Sequence, residues 1–366
     1  MEKYLIVLKQ KRDVDFLKEY KAENIVIHLG IIVFAYLSKD EAERLKRNEY
    51  ILSVEKDGAD HHDVEGVPDL RHDTAETSYA FDFMNISKFH EEGLTGKGFK
   101  VALLDTGVQK HSNLNIAGGI NVYDSTLPWD NTLANQHGTT VAGVLNAQGL
   151  NNEMLGIIPD AELYAVRIDN GNGYINTTDW SSQIAGISWA VENGMDAVNC
   201  SFSSPIDSEA RKTAFKLASD AGIAIFCSAG NTQPDGDSVT DNSRYPAKYP
   251  FVISNANIND QKQRHFNSTV GRGINFSNGG RWIKTTTTAK NSTDISTEYA
   301  TVTGTSLATP ATLGIYILYK QKYGESREKI LQRMSVNAEK LGSYWEYGAG
   351  LPKYPTKDYK IIQMRG

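Results

Sequence analysis

The sequence predicts an α/β protein whose larger part has a mostly parallel central sheet, preceded by a small α+β module. Two observations predict this division. The first 60 of the 366 residues hold 23 of the 82 Asp, Glu, Lys and Arg residues, so the composition changes near residue 60. From residue 98 onward, short apolar runs alternate with segments of helical length, which is typical of a parallel sheet with helices on both faces.

The composition argues against several classes of protein. The 38 basic and 44 acidic residues give a formal net charge of −6, so nothing indicates a nucleic-acid partner. No apolar run approaches the roughly 18 residues of a membrane span, so no membrane partner is predicted. Two cysteines are too few for a disulfide framework. The N-terminal segment lacks a signal peptide pattern, which predicts a cytoplasmic protein if Met1 is the native start and a secreted one if a signal peptide was removed.

Residues 1–60 predict a module with the element order β-α-β-β-α-β. Ser38 and Glu41 form a capping box at the start of the second helix. This order is that of a small ferredoxin-like fold. Sixty residues bury little core, so the module is expected to gain stability from a partner surface. The predicted strands are 4–8, 25–29, 31–37 and 51–54, and the predicted helices are 14–23 and 38–48.

Residues 61–83 are predicted to be a linker between the two parts. The stretch 58–77 has few large apolar side chains and no clear period. Its three histidines, His61, His62 and His72, alternate with acidic residues, but their spacing matches no standard metal-binding pattern. A solvated linker without a metal site is therefore favoured.

The larger domain is predicted to span residues 84–356. Strands are expected at 100–105, 161–168, 197–200 and 223–227, and helices at 137–147, 180–193 and 208–221. In such sheets, functional groups collect at the carboxyl ends of the strands. Asp105 and Asn231 occupy that position.

Three short motifs carry the candidate chemistry: Asp105-Thr-Gly, Gln136-His-Gly-Thr-Thr-Val-Ala-Gly and Gly304-Thr-Ser-Leu-Ala-Thr-Pro. Taken alone, each fits a structural role: a turn after a strand, a histidine at a helix start and a helix cap. Together they supply a serine nucleophile, an imidazole base and a carboxylate that orients the imidazole.

The Asp, His, Ser order of these motifs resembles that of the subtilisin-like serine proteases (subtilases, peptidase family S8). The resemblance spans about residues 84–352 and includes 114–119, 161–166, 245–250 and 347–351. It implies a subtilisin-like three-layer fold and a serine endopeptidase acting on polypeptide substrates through an acyl-enzyme. Ser306 is then the nucleophile, His137 the general base and Asp105 the residue that orients the imidazole.

The same resemblance implies the residues that bind the substrate. Asn231 and the Ser306 backbone N–H are expected to form the oxyanion hole. The extended substrate is expected to pair with Ser201, Phe202 and Ser203, opposite Ala229 and Gly230. Ser203 stands where the family usually has glycine, which places a side chain near the pocket for the residue before the scissile bond. The Tyr245–Pro246 bond matches a family position that is commonly cis.

The N-terminal module resembles the inhibitor I9-like prodomain that precedes many subtilases. This resemblance implies a self-inhibited zymogen whose own prodomain is its intramolecular inhibitor. Counting forward from the strand at Val54 and counting back from Asp105 give different cleavage positions. Both positions fall within residues 60–77, which is the predicted window for self-cleavage.

Cofactors are not expected. Many subtilases hold a structural calcium, but here Asn113 occupies the carboxylate position and the loop 150–154 is about two residues short. The family calcium site is therefore predicted to be absent or weak.

Two alternatives to a general endopeptidase remain open. One is a dedicated maturation protease for one peptide precursor or partner zymogen. The other is a pseudoprotease with a regulatory binding role, which the intact Asp105, His137, Asn231 and Ser306 disfavour.

Overall fold

The structure, a computed structural model, describes residues 1–61, 79–130, 136–150, 153–169, 177–234, 237–288 and 294–357. Most of the predicted linker and of the processing window 60–77 lies outside these residues. The domain boundaries at 60 and 84 therefore stay predictions.

The N-terminal module is a four-stranded antiparallel sheet. Ser38 Oγ accepts a hydrogen bond from the Glu41 N–H at 3.2 Å, so the predicted cap forms. The predicted helix 14–23 is wrong in length and type. The structure has a 3-10 helix at Asp15–Tyr20, and it ends because Lys21 adopts the left-handed conformation with φ of 52°. The other elements are β1 (Glu2–Leu8), β2 (Glu23–His28), β3 (Ile32–Leu37), α1 (Lys39–Leu45) and β4 (Ile51–Lys56), in the spatial order β2-β3-β1-β4.

The larger domain is built on a seven-stranded parallel sheet, which confirms the predicted fold class. Its strands are β6 (Lys100–Asp105), β7 (Ile116–Asn121), β8 (Glu162–Arg167), β10 (Ala197–Cys200), β11 (Ala224–Ser228), β12 (Ile253–Ile258) and β13 (Ile274–Gly279). Their spatial order is β13-β12-β11-β10-β6-β8-β7. The strands β7, β12 and β13 were not predicted from the sequence. Two short antiparallel pairs lie outside this sheet: β5 (Ala59–His61) with β9 (Thr177–Asp179), and β14 (Ile283–Thr287) with β15 (Glu298–Val302).

Helices cover both faces of the sheet because successive strand residues point to opposite sides. Val101 and Leu103 of β6 face one apolar cluster, and Ala102 and Leu104 face the other. The first cluster includes α2 (Tyr79–Met84), α3 (Ile86–Glu91), α4 (His137–Asn146), α7 (Thr305–Tyr323) and α8 (Arg327–Asn337); the second includes α5 (Trp180–Glu192) and α6 (Glu209–Asp220). A last short helix, α9, spans Tyr344–Tyr347. None of the helices in the described residues has both the length and the apolar character that crossing a membrane requires.

The N-terminal module docks on α5 and α6 through its sheet. Leu5 and Val7 of β1 and Ile32 of β3 belong to the same apolar cluster as Ile184 of α5 and Ala214 of α6. These side chains are fully buried. The docked face therefore belongs to the protein core, as expected of a module too small to bury a large core alone.

Two carboxylates of the module lie at the N-termini of these helices. Asp57 accepts hydrogen bonds from the Ser181 N–H at 3.1 Å and the Ser181 hydroxyl at 2.6 Å, at the start of α5. Glu55 accepts from the Ser208 hydroxyl at 2.6 Å and the Ala210 N–H at 2.8 Å, at the start of α6. Negative charge is stabilised there by the unpaired amides and the helix dipole. Burial raises the pKa of Asp57, while the hydrogen bonds from Ser181 and the charge of Lys3 act in the opposite direction.

The residues after Asp57 continue as an added strand on the larger domain. Ala59, Asp60 and His61 pair antiparallel with the backbone of β9. The Trp180 N–H donates to the Gly58 carbonyl at 2.8 Å. A Cβ at residue 58 would lie 2.7 Å from the Trp180 ring, so glycine is required for this close approach. The described part of the module thus ends as a strand added to the larger domain.

We expect the replacements Glu55→Ala and Asp57→Ala to loosen this docking. Each removes charge-assisted hydrogen bonds at a helix N-terminus, worth about 1–3 kcal/mol. Hydrogen–deuterium exchange at the β1–β4 amides should become between about fivefold and a hundredfold faster. The exposed Glu49 offers a matched control, since Glu49→Ala should leave exchange unchanged. Equal exchange in all three variants would show that the carboxylates do not hold the module.

Candidate active site

Three neighbouring strands bring the predicted site residues to one edge of the sheet. β6 ends at Asp105, β10 is followed by Ser201–Ser203, and β11 is followed by Ala229–Asn231. β10 lies between β6 and β11, and all three run parallel. Their carboxyl ends therefore lie side by side, as the sequence predicted.

Asp105 and His137 form a buried hydrogen bond. His137 Nδ1 lies 2.8 Å from Asp105 Oδ1, and the two residues are 4% and 0% exposed. Because Asp105 accepts at Nδ1, the imidazole carries its proton there and Nε2 is its basic nitrogen. The Thr106 N–H donates to the same carboxylate oxygen at 2.7 Å, which fixes its orientation.

Gly138 permits the close approach that forms this bond. A Cβ at residue 138 would lie 2.1 Å from the Gly107 carbonyl oxygen and 3.2 Å from Asp105 Oδ1. Any side chain would push the start of α4 away from the end of β6. Glycine at 138 is thus required by the distance between two backbones.

Ser306 lies in the first turn of α7, beside the segment that follows β10. Its hydroxyl donates to the Ser201 carbonyl at 3.3 Å, and the Ser201 hydroxyl donates to the Ser306 carbonyl at 2.9 Å. Ser306 is not the helix cap, because Gly304 occupies that position. Negative charge that develops near Ser306 is stabilised by the N-terminal end of α7.

Asn231 is held against the same helix start. Its Oδ1 accepts from the Thr305 N–H at 2.8 Å and the Thr305 hydroxyl at 2.9 Å. Because Oδ1 accepts these two bonds, the amide nitrogen of Asn231 is turned toward Gly304. A Cβ added at residue 304 would lie 3.5 Å from Asn231 Nδ2. This role of Thr305 was not predicted, although Thr305 directly precedes Ser306 in the Gly304-Thr-Ser motif.

The remaining predicted substrate residues have different surroundings. Ser201 contacts Ser306 through its hydroxyl, and Ser203 lies beside Gly230, the residue before Asn231. The Phe202 side chain is fully buried in an apolar cluster, and Ala229 packs against Ala256 and Ile274. The side chains of Phe202 and Ala229 therefore belong to the core.

Comparison with known proteins identifies the family. The family model described as "Subtilase family" matches residues 96–350. A "Thermostable alkaline protease" of Halalkalibacterium halodurans is 34% identical over 345 residues, 94% of this chain and 86% of the relative. The chain belongs to the subtilase family. It is a subtilisin-like serine endopeptidase, and polypeptides are its substrates.

Further matches agree with this subtilase assignment. "Subtilisin NAT" of Bacillus subtilis subsp. natto is 31% identical over 362 residues, which covers 96% of this chain and 88% of the relative. Among solved structures, fervidolysin of Fervidobacterium pennivorans, described as "a keratinolytic enzyme related to subtilisin", superposes with a TM-score of 0.77. It is 23% identical and the match covers 96% of this chain and 60% of fervidolysin, so it shows the fold alone.

Asn113 was expected to replace a calcium ligand of other subtilases. It is 1% exposed, and its Oδ1 accepts from the Gln148 and Leu150 N–H groups, each at 3.1 Å. Its Nδ2 donates to the Met154 carbonyl at 2.8 Å. Calcium requires several oxygen ligands, including carboxylates, whereas backbone N–H groups surround this oxygen. At this side chain the described residues therefore supply hydrogen-bond partners to both atoms of the amide.

The predicted cis bond at Tyr245–Pro246 is confirmed. The β9 strand was not predicted, nor were the residues Arg244 and Thr269, which lie against Gly230. The three-residue strand β9 is too short to show a period, and neither Arg244 nor Thr269 belongs to a motif. No local signal in the sequence could have found them.

Proposed function

We propose that Ser306, His137 and Asp105 form the catalytic triad of this subtilase. The buried hydrogen bond between Asp105 and His137 is the observation that supports the proposal most directly. It holds the imidazole with Nε2 as a base, and it stabilises the imidazolium that forms when the base takes a proton. Ser306 lies at the start of α7, beside the segment that follows β10.

The reaction follows from these positions. Ser306 Oγ exchanges its weak 3.3 Å hydrogen bond to Ser201 for one to His137 Nε2, and then attacks the scissile carbonyl. The Asn231 amide and the Ser306 N–H bind the resulting oxyanion. His137 returns the proton to the leaving amine, and water releases the acyl group by the same steps in reverse. Losing one oxyanion donor typically costs about 10²–10³ in kcat.

A fluorophosphonate probe tests the nucleophile. It should label Ser306 of the processed enzyme, and Asp105→Asn should lower kcat by about 10⁴, since the imidazole loses the carboxylate that fixes its tautomer. Asp220→Asn makes the same chemical change at an exposed helix end and should leave kcat unchanged. A processed protein that the probe does not label would instead be a pseudoprotease.

The N-terminal module is proposed to be the inhibitory prodomain of a zymogen. Three contacts support this role: the buried sheet face, the carboxylates Glu55 and Asp57 at two helix N-termini, and the strand 59–61 paired with β9. Adding a strand to an open edge is how many domains bind extended peptides. The paired strand therefore occupies an edge that a substrate would use.

Self-processing can be tested by removing the nucleophile. Ser306→Ala protein should purify as the uncut 40.4 kDa chain, whereas the unmodified protein should acquire a new N-terminus within residues 60–77. Mass spectrometry and N-terminal sequencing measure both. Ser87→Ala, a change on an exposed helix residue, should process normally. Finding the same cut in the Ser306→Ala protein would assign the cleavage to another protease.

The chain is also proposed to fold without the calcium of other subtilases. The Asn113 side chain hydrogen-bonds to the backbone of Gln148, Leu150 and Met154, and these bonds hold the segment in place of a metal ion. On the Ser306→Ala background, where autolysis does not contribute, a calcium chelator should leave Tm unchanged. Asn113→Asp should lower the free energy of unfolding by about 1–3 kcal/mol, since it loses the donor to Met154 and buries a charge. Asn115→Asp, at an exposed neighbour, should be neutral. A chelator that lowers the Tm of this protein would contradict the proposal.

A further inference from the structure

Three polar side chains converge on Gly230, the residue before Asn231. Gly230 has a φ of +109°, and a Cβ at this residue would lie 2.7 Å from Arg244 Cδ, 3.0 Å from Thr269 Oγ1 and 3.2 Å from Ser203 Oγ. These side chains come from three separate segments of the chain. They meet one residue away from the proposed oxyanion hole.

Backbone hydrogen bonds hold these segments in place. Ser204 and Tyr245 exchange two bonds of 2.8 Å each, which fixes Arg244 beside Ser203. The Thr269 N–H donates to the Gly230 carbonyl at 2.9 Å. The Arg244 guanidinium also donates to the Thr232 hydroxyl at 3.1 Å. The three side chains are thus placed by the fold and are not a chance meeting on the surface.

The cluster places hydrogen-bond donors around a permanent positive charge. Arginine keeps its charge at all accessible pH values, and its guanidinium matches the geometry of a carboxylate. Ser203 and Thr269 are fully buried. Within the described residues, Thr269 Oγ1 makes no hydrogen bond. Since buried polar groups are almost always paired, this hydroxyl has a donor to offer to an acceptor that a bound substrate brings.

We propose that this subtilase selects substrates with Asp or Glu immediately before the scissile bond, and that Arg244 determines this specificity. The inference rests on the proposed function, because it takes the scissile carbonyl to bind beside Asn231. The side chain next to that carbonyl then lies against Gly230, and its carboxylate reaches Arg244 and the hydroxyls of Ser203 and Thr269.

The sequence of the predicted processing window complements such a cluster. Residues 60–77 contain one basic residue, Arg71, and no aromatic residue. They contain six acidic residues: Asp60, Asp63, Glu65, Asp69, Asp73 and Glu76. A protease that cuts after acidic residues therefore has several candidate bonds in its own chain, and the new N-terminus should directly follow Asp or Glu.

The test compares peptides that differ only in the residue before the scissile bond, using the processed enzyme. Two ratios of kcat/KM are compared: Asp against Asn, and Glu against Gln, at the residue before the scissile bond. Each ratio should be about 10- to 100-fold, the range expected for hydrogen bonds to a charged group. In Arg244→Gln the two ratios should fall below about threefold. Thr269→Val should lower them by a smaller factor, and Arg244→Glu should favour Lys.

Each ratio is measured within one preparation, so partial misfolding of a variant cancels. Lys248→Gln is the matched control, because it removes an exposed positive charge on the same segment and should leave both ratios unchanged. Labelled enzyme that prefers an uncharged or basic residue, or Arg244→Gln enzyme that keeps the acidic preference, overturns this inference alone. Enzyme that neither labels at Ser306 nor cuts any peptide overturns the proposed function as well.

Discussion

The parallel register of β6, β10 and β11 is the constraint on which the site depends. Cys200 of β10 lies opposite Leu104 of β6 on one side and Cys227 of β11 on the other. With the three strands in step, the residues that follow each of them reach the same edge. A slip of one residue would turn every side chain of a strand to the opposite face, exchange the two apolar clusters and misplace Asp105.

Close backbone approach is the second requirement. The N-terminus of α4 reaches Asp105 because Gly138 lies against Gly107, and further along the same helix Gly143 lies against Thr285 and Thr286. A Cβ at residue 143 would lie within 2.4 Å of both threonine hydroxyls. The helix that carries His137 is therefore fixed at both ends by residues without side chains. Protein interiors are close-packed, so neither end can move without displacing its neighbours.

The fold class and the principal site residues could be predicted from the sequence because their signals are local. The motifs around Asp105, His137 and Ser306 each lie within eight consecutive residues, and apolar runs mark the central strands. The pairing of 59–61 with 177–179 could not be predicted, since it joins two three-residue segments more than a hundred residues apart. The cluster beside Gly230 was missed for the same reason. The first helix of the module was predicted too long, because the pattern does not show the left-handed conformation at Lys21.

The strand at 59–61 has one more consequence, which follows from its covalent connection. Under the proposed inhibitory role, this strand competes with substrate, while the chain is continuous, at the effective concentration of a tethered ligand, which is in the millimolar range for short connections. A single cut in the connecting segment makes the same contacts bimolecular without changing any of them. The pairing of 59–61 with β9 then depends on the total protein concentration, so dilution alone is enough to separate the two strands.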